Sequence, residues 1–114
     1  MPSAPEGPLE MSDISERTVT ISWKLPKSMG GLDLTGYVIQ RRDRNKYSWL
    51  HVDNVKPNIR SYCIQNLVEG KQYLFRVLAQ NDEGLSEPLQ SADAVLMCRP
   101  TGFWLCLLLY DYLL

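Results

Sequence analysis

Residue types that carry chemistry are sparse in this chain, and their spacing does not bring them together. Histidine, the commonest general base, occurs once, as His51. A nucleophilic site needs a Ser or Cys held against such a base, and a third group to orient it. No motif places one beside His51, which falls on a short strand and reads as a surface residue. The cysteines, Cys63, Cys98 and Cys106, are odd in number and form no close pair. They fit neither a disulfide framework nor a C-x-x-C metal site, and the expectation is free thiols. Asp13/Glu16 and Asp82/Glu83 lack the dense, alternating oxygen donors of a calcium loop and read as solvated charges. Gly30-Gly31 lacks the strand-to-helix setting and the lysine of a phosphate loop. No cofactor, metal or small-molecule substrate is expected, and the chain is not expected to be an enzyme.

The remaining chemistry is that of surfaces. The chain has 114 residues and a formal net charge of −1, which suits one domain with a real core and gives no electrostatic footprint for nucleic acid. The first eight residues, rich in Pro and Gly, lack the apolar stretch of a signal peptide. None of the five asparagines sits in an N-x-[ST] sequon. Together with unpaired cysteines, these features favour a reducing, cytoplasmic setting.

The elements follow from alternation. Residues 1–8 read as a linker and 9–99 as one domain, with 100–114 apart. Leu9, Met11 and Ile14 give a short irregular strand whose prolines suit an edge. In Arg17–Lys24, Val19, Ile21 and Trp23 alternate with Thr18, Thr20 and Ser22. Tyr37 and Ile39 point inward from a strand over Thr35–Asp43. A short strand holds Trp49, Leu50 and Val52, and another, Ser61–Gln65, points Tyr62 and Ile64 inward. The longest alternation places Tyr73, Phe75, Val77 and Ala79 on one face and Leu74, Arg76, Leu78 and Gln80 on the other. Asn81–Ser86 reads as a hairpin loop, and Pro88–Met97 holds a last strand. Seven short strands with regular turn signals describe an all-β, antiparallel Greek-key sandwich without a disulfide. Trp23, Tyr37, Ile39, Leu67, Tyr73, Phe75 and Val77 form its expected core.

The corner before the longest strand is diagnostic. Gly70 can take positive φ, and Tyr73 follows it, six residues after Leu67. This is the spacing of a tyrosine corner, whose phenol packs inward while its hydroxyl bonds to upstream backbone. An immunoglobulin domain would carry cysteines near Ile21 and at Phe75, and its Trp on the third strand; this chain has neither. Pro5, Trp23, Tyr37, Leu67, Gly70, Tyr73, Val77, Asn81, Gly84, Ser86 and Pro88 together resemble the pattern of a fibronectin type III domain, over roughly residues 5–99. Ser22-Trp23, Pro26, Gly30-Gly31, Gly36-Tyr37, Arg41, Trp49, Tyr73–Val77, Ala79–Asn81, Gly84, Ser86 and Glu87–Leu89 are similar to the type III domains of intracellular muscle proteins of the titin, twitchin and myosin-binding protein C kind. The resemblance implies a structural and docking module of a cytoskeletal or sarcomeric array in the cytoplasm. Its partners would be proteins, filaments or neighbouring immunoglobulin and fibronectin domains among them.

Where such a module touches a partner is read from the outward faces. Val38, Leu74 and Leu78, with Trp49, suggest an apolar patch bordered by Gln40, Arg42, Arg76 and Gln80. The basic run Arg41–Lys46 places an arginine where it can stack on Trp49. No Arg-Gly-Asp tripeptide occurs in the chain. The tail 101–114 has eleven apolar residues in fourteen. Its unbroken run, Phe103–Tyr110, falls short of the roughly 20 residues of a membrane span. Three readings of it stand open: an end unrelated to the family, a segment packed on the sandwich, and a membrane-associating peptide. With the last, the module would be an adhesion or receptor domain; a membrane role is not the main expectation.

Overall fold

A computed structural model describes residues 3–27 and 33–98. The tail, and with it the three readings of it, lies outside the described residues.

Among the described residues nine strands form: β1 (Glu6–Ser12), β2 (Val19–Lys24), β3 (Gly36–Asp43), β4 (Leu50–Val55), β5 (Ser61–Ile64), β6 (Gln72–Asn81), β7 (Gly84–Leu85), β8 (Leu89–Gln90) and β9 (Val95–Leu96). One sheet has the order β1-β2-β5; the other runs β4-β3-β6-β7, with β8 and β9 also on β6. All pairs are antiparallel. The inward residues of both sheets meet in one core of Val19, Ile21, Trp23, Tyr37, Ile39, Ile64, Leu67, Tyr73, Phe75, Val77, Ala79 and their neighbours. No disulfide joins the sheets among the described residues. Ile21 and Phe75, both fully buried, fill the interior where a bridge would otherwise sit.

Two details depart from the expected layout. β1 begins at Glu6, so the strand takes up residues 6–8 of the stretch read as linker. Pro8 is tolerated there because β1 is an edge, where a missing N–H costs no ladder bond. Cys63 is a free, exposed thiol.

The second departure is the last strand, expected as one element and found as β7, β8 and β9. Serines break it. Ser86 Oγ accepts the Ala79 N–H at 2.8 Å, and Ser91 Oγ accepts the Phe75 N–H at 3.1 Å. Both serines are buried. Along this edge of β6 the partners therefore alternate: Tyr73 pairs with Val95, Phe75 meets a hydroxyl, Val77 pairs with Leu89, Ala79 meets a hydroxyl, and Asn81 pairs with Gly84. Each buried N–H is satisfied, as burial demands, but every second acceptor is a side chain.

The corner forms as read. Gly70 has φ 85°, and the Tyr73 hydroxyl accepts the Val68 N–H at 3.1 Å. Gly70 N–H donates to the Met97 carbonyl at 2.8 Å, and Met97 N–H donates to the Lys71 carbonyl at 3.0 Å. The corner thus holds the chain's last described strand as well as the crossing between sheets.

Candidate functional site: the outer face of β3 and β6

The long register between β3 and β6 fixes what lies on the outer face. Val38 stands opposite Leu78, Gln40 opposite Arg76, and Arg42 opposite Leu74. These are the residues expected to make a contact face, and the structure brings them together beside Trp49, which lies just ahead of β4. The Arg76 guanidinium lies 4.3 Å from the indole centroid and that of Arg42 lies 5.5 Å from it. Two cations share one ring. Cation–π contacts of this kind contribute about 0.5–2 kcal/mol, and here they hold the β3–β4 turn down on the sheet. Arg76 Nε–H also donates to Gln40 Oε1 at 2.6 Å, and Arg42 Nη1 donates to the Lys46 carbonyl at 2.6 Å. Burial holds the Arg76 pKa below its ordinary value.

The face differs from an open apolar patch. Val38 is 7% exposed and Leu78 8%, although neither belongs to the central core. Arg42, Trp49, Leu74 and Arg76 are half-buried. What remains accessible is therefore amphipathic: guanidinium edges, the rim of an indole and one leucine. Arginine stems lying over apolar side chains account for this. Alternation predicts that the face exists but not that its apolar members are shielded.

The expected core residues are all interior: Trp23 is 4% exposed, Leu67 2% and Tyr73 4%, while Tyr37, Ile39, Phe75 and Val77 are fully buried. Trp23 and Tyr37 meet edge to face, centroids 5.3 Å apart. The Trp23 Nε1–H and the Tyr37 hydroxyl are buried with no hydrogen-bond partner. Burial raises the Tyr37 pKa, partly offset by the Arg60 guanidinium nearby. Arg41, on the core side of β3, lies 5.6 Å from the Tyr73 ring centroid, a contact not legible from alternation alone. His51 is exposed. Among the described residues no group of three His, Cys, Asp or Glu side chains is placed to hold a metal ion, and no helix is long and apolar enough to cross a membrane.

An antiparallel sandwich of a three-stranded and a larger sheet, pinned by a tyrosine corner and lacking an inter-sheet disulfide, defines the class of modular all-β domains. Within it, the Fibronectin type III domain family matches residues 3–93, and the chain belongs to that family. It is 40% identical over 93 residues to titin of Drosophila melanogaster, covering 82% of this chain and 0% of that protein to the nearest per cent. It is 30% identical over 99 residues to human myomesin-2, covering 85% of this chain and 7% of that protein. The chain thus spans under a tenth of these curated relatives. Among solved structures it is similar to a crystal structure of domains from titin, with TM-score 0.79 and 31% identity, covering 87% of this chain and 33% of that one. A titin module from human cardiac muscle is similar over 83% of this chain and 92% of its own, with TM-score 0.70 and 32% identity.

Proposed function

We propose that this domain is a non-catalytic structural and protein-interaction module of a muscle-type cytoskeletal protein: a folded spacer whose outer β3–β6 face docks a filament protein or a neighbouring domain. Family membership, together with relatives named titin and myomesin-2, carries the reading. On it the module works in the cytoplasm, in the myofibril or cytoskeleton, and performs no reaction. The amphipathic surface around Arg42, Trp49, Leu74 and Arg76 supports the choice of face, because arginine and aromatic side chains are enriched where proteins meet. The test is co-sedimentation of the full chain with isolated myofibrils. Leu74→Ser is expected to weaken binding about tenfold, which is about 1.4 kcal/mol, and to leave the melting temperature unchanged. Unaltered binding by a folded Leu74→Ser variant rules out this face.

A further inference from the structure

We propose a second binding site, on the open side of the sandwich, for an extended acidic segment of a partner protein, one that carries an aspartate or glutamate beside an aliphatic residue. The site does not depend on the outer β3–β6 face. On this side the sheets end at β4 and β5, and among the described residues neither has a strand beyond it. Two adjoining cavities, of about 260 Å³ and about 580 Å³, run between these edges and share Arg41 and Asn66 in their walls. Tyr62 of β5 donates to Asp53 of β4 at 2.9 Å, tying the two edges together. The opposite side of the sandwich is covered, with β1 packed on β8 and the Gly7 backbone lying against Leu89.

Charge selects the occupant. Arg41, Lys46 and Lys71 line the smaller cavity against a single carboxylate, Asp43. That carboxylate is engaged, by Lys71 at 3.5 Å and by the Asn45 N–H at 2.9 Å. Arg41 is oriented by the Tyr73 ring and meets no carboxylate among the described residues. A local excess of cation stands out in a chain of net charge −1. Leu50 and Val68, 55% and 49% exposed, line the same cavity. A bare anion leaves these two unused; a carboxylate with an aliphatic neighbour covers them while its oxygens take the Arg41 fork. The length of the joined cavities along two strand edges favours an extended segment over a single side chain.

The probe is a blocked seven-residue peptide with a central glutamate between leucines, titrated into the ¹⁵N-labelled full chain beside its glutamine counterpart. Shifts are expected at Arg41, Leu50, Asn66 and Val68. The glutamate peptide is expected to bind about tenfold more tightly than the glutamine one, as a lost charged hydrogen bond requires. Arg41→Gln removes that preference, and Lys46→Gln, at an exposed side chain, reduces it in a domain whose packing is intact. Lys24→Gln, on β2, leaves it whole. Equal affinity for the two peptides, shifts confined to other faces, or no shifts at about 5 mM peptide overturns the proposal. So does inorganic phosphate producing the same shifts, or concentration-dependent shifts at these residues without peptide, which would assign the groove to a second copy of the chain.

Discussion

Two tyrosines show how residue context decides what a hydroxyl contributes. Tyr73 spends its oxygen on the Val68 N–H, while the Tyr37 hydroxyl is buried without a partner. A phenylalanine at 73 strands a backbone donor, whereas one at 37 removes an unsatisfied group. Tyr73→Phe is therefore expected to cost about 1–3 kcal/mol and Tyr37→Phe to be neutral or to stabilise, read at constant slope as a lower urea midpoint for the first and an unchanged or higher one for the second. Asp43 makes a residue-scale case for pH. Its carboxylate accepts the Asn45 N–H and lies near Lys71, and these contacts, the first foremost, hold its pKa below the ordinary 3.8. The unfolded chain binds the proton more readily, so this contribution is complete above about pH 5 and is lost as pH falls through 4 and below. Asp43→Asn is expected to flatten the acid limb of stability against pH, and a limb as steep as the parent's would show that other carboxylates carry it.

At the scale of the element, alternation made most strands legible. The inward sets of β2, β3 and β6 lie where period two places them, because side chains of a half-buried strand must alternate between core and outside. The same rule put Val38 and Leu78 outside yet missed their shielding by arginine stems, a matter of side-chain reach. It also missed the segmentation of the last strand, since a serine that replaces a backbone acceptor leaves no periodic signal. Ser86→Ala and Ser91→Ala are each expected to destabilise by about 1–3 kcal/mol through an orphaned N–H. Hydrogen exchange checks this directly: Ala79 speeds up in the first variant and Phe75 in the second. Gly36 opens β3 for a different reason, because a Cβ there would run into the Val55 carbonyl of β4. Gly36→Ala is expected to cost about 1–3 kcal/mol by overpacking, visible as a lower melting temperature, and to loosen β4 first.

For the whole molecule, the resemblance rested on scattered residues such as Trp23, Leu67, Gly70 and Tyr73, each set by a packing or turn requirement that any sandwich of this topology must meet. That is why the fold and the outer β3–β6 face could be read where the groove at Arg41 could not. The site at Arg41 depends on two sheet edges approaching one another, which no local pattern records. On the two proposals together, an amphipathic face and a cationic groove would let a single spacer hold two partners at once, and variants of Leu74 on β6 and Arg41 on β3 are expected to act independently because the two residues sit on opposite faces of the sheet these strands form.

The exposed edges of β4 and β5 bear on how the domain meets its neighbours. Between Ile39 and Gln40 the β3–β4 register slips, leaving Val52 as an extra residue, and β5 is four residues long. A bulge and a short strand make poor templates for a neighbouring chain. In an array where similar domains stand at high local concentration, these same edges guard against strand exchange and aggregation.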